Sequence, residues 1–497
     1  MIKTGFFMPH VSCLMSRALI TMWKRSLLIL ILVLAPAIAS AAPTHLTILH
    51  FNDLHGHLEA EANGSGGAAR IAAIVKSIEA ENTKKGWDTI VLHGGDALTG
   101  STLSKEFRGE VEMAFLRAIG TDAAVIGNHE FDQGKERLGE LMGSAGFPIL
   151  SANIFTGNTG EHFAEPSEIV AMQDGLRVAI LGLTMAGTPH VTKPTNVEGL
   201  KFADSEKEAR RDVPALRRHS DIMIALTHEG VKEDVALAKS VKGIDVVVGG
   251  HDHVKPDGYC RSVGRVPVCQ TPAEGRYVGR IDFDMSGKTP SLLGWELIPV
   301  SSDVAPDNDV EALVQRFAAP TKAKYDKVIG VAADDFENGE GKETILGRHV
   351  ALAMRQKTDA DAAFINSSGI RAPLRKGKIR LRDVDAVLPF PNKLVVLDIK
   401  GSELIGALSR GIAGKGSYPQ VAGMELKISG NGLTGITIRN DALDPDKIYR
   451  IATVDFVAMG GGAYSMLKKI PDERKEYTDI LVADAFADYV KSKKVLK

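Results

Sequence analysis

From Leu46 to about Pro320 the chain alternates short, continuous apolar runs with longer stretches of helical periodicity. Leu46–Phe51, Thr89–Leu92, Ala123–Ile126, Pro148–Leu150, Val178–Leu181, Ile222–Leu226 and Val246–Val248 read as strands, with helices beginning near Ala68 and running around Val111 to Ala118. Runs that are apolar throughout, with no polar alternation, are what strands buried on both faces require. Around Asp309 to Lys327 the pattern turns polar and helical, interrupted by Pro320, and predicts a connecting helix. From about Val328 a second unit begins, with strands at Ala363–Ile365 and Leu394–Leu397 and helices near Leu346–Lys357 and Leu404–Ile412. Its Gly- and Pro-marked turns fit either an α+β or an α/β arrangement, and no internal repeat is present.

At 497 residues the chain exceeds what one core accommodates, so two domains are expected. The pattern divides it into a leader over 1–41, a first α/β domain over 44–308, a connecting helix over 309–327 and a second domain over 328–497. Within the leader, Lys24-Arg25, the apolar run Ser26–Ala35 and the small residues Ala39-Ser40-Ala41 form a secretory signal, with Met22 the expected start. Its apolar run is too short for a membrane span, and no cysteine stands at the cleavage site to carry a lipid. A periplasmic or secreted protein is expected. Sixty basic residues against sixty-two acidic ones leave no basic excess for neutralising nucleic-acid phosphates. Beyond the leader only Cys260 and Cys269 remain, an even pair in an exported chain, which predicts a short disulfide loop. Two separate buried thiols are the alternative; a zinc site lacks the usual partner pairs.

The polar chemistry is concentrated where the strands end. Asp53-Leu54-His55, Gly95-Asp96, Gly127-Asn128-His129-Glu130-Phe131-Asp132, Thr227-His228-Glu229 and Gly250-His251-Asp252-His253 each follow an apolar run. Open α/β sheets bind ligands beyond the carboxyl ends of their strands, so these five motifs point to one metal centre. Mixed His, Asp and Asn donors suit zinc, manganese or cobalt. Asp96, with two oxygens, is placed to bridge two ions, the arrangement that clamps the attacking and leaving oxygens of a phosphoryl transfer. Any one of these histidines alone reads as a hydrogen-bonded structural residue; it is the set that carries the inference.

Taken in order, Asn-Asp-x-His-Gly, Gly-Gly-Asp, Gly-Asn-His-Glu-Phe-Asp, Thr-His-Glu-Gly and Gly-Gly-His-Asp-His resemble the calcineurin-like metallophosphoesterases, and within them the exported 5′-nucleotidase/UDP-sugar hydrolase family. The resemblance implies an N-terminal αββα sandwich and a C-terminal α/β substrate-binding domain. It implies that Asp53, His55, Asp96 and His253 hold one divalent ion and Asp96, Asn128, His228 and His251 the other. It further implies that His129 is catalytic, oriented by Asp132, in the in-line attack of a metal-activated water on a nucleoside 5′-monophosphate, UDP-sugars and diphosphates being further substrates.

In the second domain Asn366-Ser367-Ser368-Gly369-Ile370-Arg371 follows a strand, and Arg371 and Arg375 offer guanidinium forks for phosphate. Two solvated arginines are the plain alternative, but the stretch is similar to the family's Asn-x-Gly-Gly-Ile-Arg motif, with Asn366 in first place. The family's nucleobase sandwich of two aromatic rings falls on Tyr418 and Phe456. The sequence departs from the family at Gly460-Gly461-Gly462-Ala463, where Gly462 replaces the aspartate that takes ribose hydroxyls, and at Ser368, where a glycine is usual. Rival readings are a broad-specificity or 2′,3′-cyclic phosphoesterase, a thiosulfohydrolase-like enzyme, and a non-catalytic surface protein. Loss of a ligand would mark the last, and none is missing.

Overall fold

The computed structural model describes residues 45–157, 159–172, 175–339, 341–414, 417–430 and 432–497. The predicted secretory signal lies outside them. Among the described residues, no helix is long and apolar enough to cross a membrane.

The described residues of the first half form fourteen strands: β1 (His45–Phe51), β2 (Asp88–His93), β3 (Ala123–Val125), β4 (Ile149–Leu150), β5 (Ile154–Thr156), β6 (Ser167–Ala171), β7 (Arg177–Thr184), β8 (Leu200–Phe202), β9 (Ile222–His228), β10 (Val246–Val248), β11 (Tyr259–Val263), β12 (Val266–Gln270), β13 (Tyr277–Asp284) and β14 (Ser291–Pro299). They form two six-stranded sheets, ordered β14-β13-β1-β2-β3-β4 and β11-β12-β10-β9-β7-β6, with β5 and β8 paired apart. Strands β1 to β4 run parallel, as do β7, β9, β10 and β12; β6, β11, β13 and β14 join antiparallel at the margins.

Alternation along each strand builds the layers. On β1, Leu46 and Ile48 join the core between the sheets, while Leu49 and Phe51 pack with the helices outside. On β9, Ile222, Ile224 and Leu226 face inward, whereas Met223 and Ala225 join the opposite helical layer. With both faces of a strand covered, most positions on both faces are apolar, and this explains the near-continuous runs in the sequence. The helix Ala68–Lys85 supplies Ala68, Ile71, Ala72, Val75 and Ile78 to the outer core of the first sheet, at three- and four-residue spacing. The first half is thus an αββα sandwich.

The helix Asn308–Tyr325 starts at Asp307, whose side chain accepts from the Val310 N–H, and it runs through Pro320 without breaking. An interruption was expected there. A proline removes one main-chain hydrogen bond, and burial of Val310, Val314 and Ala318 in the outer core of the first sheet outweighs that loss. The second half centres on a five-stranded sheet of Pro419–Ala422, Ala362–Asn366, Ile448–Val454, Lys393–Lys400 and Lys475–Leu481, in that order. Only Ala362–Asn366 with Ile448–Val454 is a parallel pair. The helices Ile345–Thr358, Gly401–Ala413 and Val482–Lys493 contribute Leu346, Leu404 and Phe486 to its core.

Candidate metal centre and substrate cavity

The carboxyl ends of β1, β2 and β3 from one sheet and β9 and β10 from the other converge, and the five sequence motifs meet there. The turns after β1 and β2 run side by side: Asp53 N–H donates to Gly95 O at 2.9 Å and His55 N–H to Asp96 O at 3.1 Å. Asp53, His55, Asp96, His251 and His253 all have positive φ, between 45° and 89°. Non-glycine residues held in that region cost of order 1–3 kcal/mol each and cluster at functional sites. Gly127 permits a close approach: a Cβ there would lie 2.2 Å from Asp96 Oδ1.

Three sets of donor atoms each fall within 4.8 Å of one another: Asp53, His55 and His253; His55, Asp96 and His129; and Asp96, His228 and His251. Asn128 joins the last set, its Oδ1 lying 3.0 Å from His251 Nδ1. The tautomers follow from the carbonyls nearby. His55 Nδ1–H donates to Thr99 O at 3.1 Å and His228 Nδ1–H to Gly94 O at 2.7 Å, so each ring turns its Nε2 into the site. His55 Nε2 then faces His253 Nε2 at 2.8 Å. Burial lowers the pKa of both rings and so favours the neutral, ligating form of each, with the His55 Nε2 lone pair turned towards a cation.

The opposite pole is acidic. Burial works against a charged His228, yet the Asp96 and Asp53 carboxylates, with Asp96 Oδ2 at 3.1 Å, push that ring up to about 10. Protons there supply the positive charge that the donor set calls for, so these residues fit a pair of divalent cations.

His129 stands beside the centre. Its Nδ1–H donates to Asp132 Oδ2 at 2.7 Å, its main-chain N–H donates to Asp96 Oδ1 at 2.8 Å, and its Nε2 lies 3.9 Å from Asp96 Oδ2. Burial opposes charge on the ring, but Asp132 and Asp96 together raise its pKa above the ordinary value. The Phe390 ring stacks on it at 5.5 Å.

A cavity of about 470 Å³ runs from His129, Asn128 and His253 to the second half of the chain, where Asn366, Arg371 and Phe456 line it. That volume suits a compact organic ligand. The other two predicted substrate residues lie elsewhere. Arg375 stands on the surface, paired with Glu337 and, at 3.8 Å, with Asp335. Tyr418 is not among the residues lining this cavity, although its neighbour Ser417 and the other ring of the expected sandwich, Phe456, are.

Several contributors were not read from the sequence. Glu130, inside the longest motif, accepts main-chain N–H bonds from Asp96, Ala97 and Gly127 at 3.0, 2.7 and 2.7 Å, fixing two motif turns together. Its position in the motif was the available signal. His190 and Lys193, on a segment without any motif, close the far side of the cavity: His190 O accepts from Gly462 N–H at 2.8 Å, and Lys193 pairs with Asp455 at 2.7 Å.

The predicted disulfide joins Cys260 to Cys269 across the β11–β12 pair. The Cys269 carbonyl also accepts from Gly249 N–H at 2.9 Å, two residues before His251.

A two-sheet sandwich with these donors at its strand ends defines a metal-dependent phosphoester hydrolase. The calcineurin-like phosphoesterase family matches residues 46–255, and the 5′-nucleotidase C-terminal domain matches residues 328–469. The chain is 30% identical to protein UshA of Yersinia enterocolitica, over 86% of this chain and 87% of that one. It is also 30% identical to a 5′-nucleotidase of Vibrio cholerae, over 90% of each. A 5′-nucleotidase precursor from Thermus thermophilus superposes with a TM-score of 0.81 at 28% identity, covering 91% of this chain and 97% of that one. The chain belongs to the UDP-sugar hydrolase/5′-nucleotidase family, whose phosphoesterase fold implies a dimetal centre.

Proposed function

We propose that the protein is an exported 5′-nucleotidase that hydrolyses nucleoside 5′-monophosphates, with UDP-sugars and diphosphates as further substrates. The observation that carries this reading is a cavity linking the histidine–aspartate cluster to Arg371 and Phe456 of the second half. The relatives named 5′-nucleotidase support it. Residues 44–308 form the catalytic domain, 309–327 a connecting helix and 328–497 the substrate-binding domain, behind a leader cleaved near Ala41.

In this reading Asp53, His55, Asp96 and His253 hold one cation and Asp96, Asn128, His228 and His251 the other; manganese, zinc and cobalt suit the donors. When bound, such a pair supplies Lewis acidity and a nucleophile at neutral pH. The protein's own groups do the rest. Arg371 brings positive charge to the histidine edge and orients the phosphoryl oxygens. His129, its Nδ1 proton held by Asp132, carries a proton at Nε2 for the departing ester oxygen. Phe456 offers a flat apolar face to the base. Burial of the site strengthens each of these interactions.

Gly462 favours a second reading, a broad-specificity phosphomonoesterase. It brings no side chain to the cavity wall, and its N–H is taken by His190 O, so this point offers no carboxylate to a ribose. Phosphate release from AMP and from 4-nitrophenyl phosphate, with manganese and with a chelator control, separates the two. Strong preference for AMP, lost with chelator, supports the nucleotidase; cleavage of the aryl ester alone refutes it.

A further inference from the structure

Two residues that do not border the substrate cavity hold the Asp53 carboxylate. Asn52 and Thr271 are completely buried, Asn52 directly after β1 of one sheet and Thr271 directly after β12 of the other, so their contact ties the two sheets together at their carboxyl ends. The Thr271 main-chain N–H and its Oγ1–H both donate to Asn52 Oδ1, at 2.9 and 2.7 Å, and Thr271 O accepts from Asn52 Nδ2 at 3.0 Å. A main-chain N–H can only donate and a carbonyl only accept, so this pairing fixes which end of the Asn52 amide is nitrogen. The second proton of that nitrogen goes to Asp53 Oδ2 at 2.6 Å. Gly94 and Gly250, in the turns that lead to Asp96 and His251, pack against Asn52 so closely that a Cβ on either would lie 2.9 or 3.2 Å from the Asn52 Cβ.

The two oxygens of Asp53 are therefore unlike. Oδ2 accepts from Asn52 and from His251 N–H at 2.9 Å, whereas Oδ1 meets that N–H only at 3.3 Å. Oδ1 is the oxygen turned to the imidazoles, 3.5 Å from His253 Nε2, 3.9 Å from His55 Nε2 and 4.0 Å from His228 Nε2.

We propose that Asn52, locked by Thr271, is a positioning residue that reserves Asp53 Oδ2 for hydrogen bonds and so presents Oδ1 to a cation. Asp53 is a cation donor in the reading proposed above, on which this inference rests. Freed from Asn52, the carboxylate turns more easily about its Cβ–Cγ bond. That weakens the ion it holds with His55 and His253 and spares the one at Asp96, His228 and His251. Neither Asn52 nor Thr271 reaches the ester, so both act through Asp53.

The test uses the full protein without its leader, stripped with a chelator and dialysed against graded manganese. Bound ions per chain are counted by plasma mass spectrometry, and paramagnetic resonance separates a coupled pair of ions from a lone one. Wild type binds two. In Asn52→Ala one ion binds about 10–100-fold more weakly, the usual loss for a group behind a ligand, and the other stays within about twofold. Over an intermediate range of manganese the signal is then that of a lone ion. Thr271→Val removes one bond to Asn52 Oδ1 at nearly constant volume and weakens the same ion about threefold, whereas Thr271→Ser keeps the hydroxyl and stays within about twofold of wild type. Folded Asn52→Ala that holds both ions as tightly as wild type overturns the proposal. So does equal weakening of both ions in step with a lower melting temperature, because the residue then serves only the fold. A wild-type chain that takes up no ion pair removes the dimetal reading itself, and the inference with it, and is told apart because it shows without any substitution. If Asn52→Ala fails to fold by circular dichroism, Thr271→Val against Thr271→Ser decides, and equal affinities in the two overturn the proposal.

Discussion

Gly127→Ala is the smallest change that strikes both halves of the metal centre. The new Cβ would stand 2.2 Å from Asp96 Oδ1, 2.7 Å from Asp96 N and 2.8 Å from Glu130 Oε2. Ordinary contact begins at 3.4 Å, so the Asp96 carboxylate must retreat by about 1.2 Å or the turn must open. Neither is easy. Asp96 Oδ1 accepts from His129 N–H, and Asp96 N–H is held by Glu130. Overpacking of this kind costs about 1–3 kcal/mol. The functional effect is larger, because a group misplaced by about 1 Å loses on the order of a hundredfold in rate. Asp96 belongs to the donor sets on both sides, so cation affinity falls for the pair. The assay combines metal content by plasma mass spectrometry, thermal melting, and kcat/KM on 4-nitrophenyl phosphate. Gly143→Ala is the control: it lies inside the helix Lys135–Ala145 with nothing within 4 Å of its Cβ, and it gains about 0.5–1 kcal/mol with unchanged activity. A Gly127→Ala protein that binds two ions per chain and turns over within threefold of wild type would refute the steric argument.

Three further outcomes are expected. His129→Ala leaves the donor sets around Asp53 and His228 untouched, so it retains both ions while kcat drops by about 10²–10⁴, checked by metal content beside turnover. Glu112 is fully buried, and burial raises its carboxyl from 4.5 to about 7. The folded state therefore binds the proton more tightly than the unfolded one. Its stabilising contribution is complete below about pH 4.5 and is lost as pH rises to about 7, a loss of about 3 kcal/mol. Glu112→Gln removes that dependence, and denaturant melts at pH 5 and pH 8 that fall equally in variant and wild type would refute it. Lys193→Ala leaves the Asp455 carboxylate, itself 3% exposed, without its cation partner and weakens the closure of the cavity. KM for the ester rises about tenfold, and Asp455→Asn in the same chain recovers part of it in a double-mutant cycle.

The catalytic half was legible in the sequence to the extent that its strands are covered on both faces. The runs at β1, β2, β9 and β10 are apolar over most positions because successive residues meet different cores. The marginal strands were not seen for the same reason: β13 mixes buried with half-buried residues and β14 half-buried with exposed ones, with Arg280, Asp282 and Glu296 among them, and they resemble surface loops when read singly. The motif residues were legible as chemistry because His, Asp and Asn after five strands have few other reasons to be there. Supporting contacts were not. Glu130 works by accepting N–H bonds from Asp96 and Ala97, more than thirty residues away, and no local spacing encodes that.

The strained turns explain why a site assembled from two sheets can hold its donors so close without collapsing. Five donor residues sit at positive φ, each at a cost that local sequence would avoid. The compensation is main-chain pairing between neighbouring turns, from Asp53 N–H to Gly95 O and from His55 N–H to Asp96 O, together with His251 N–H to Asp53 Oδ2 at 2.9 Å. Those bonds fix the backbone in the conformation that points Asp53, His55 and His253 at a common centre. The donors lie beyond the strand ends, and the buried β1, β2, β9 and β10 supply the rigidity that keeps the strained turns in place.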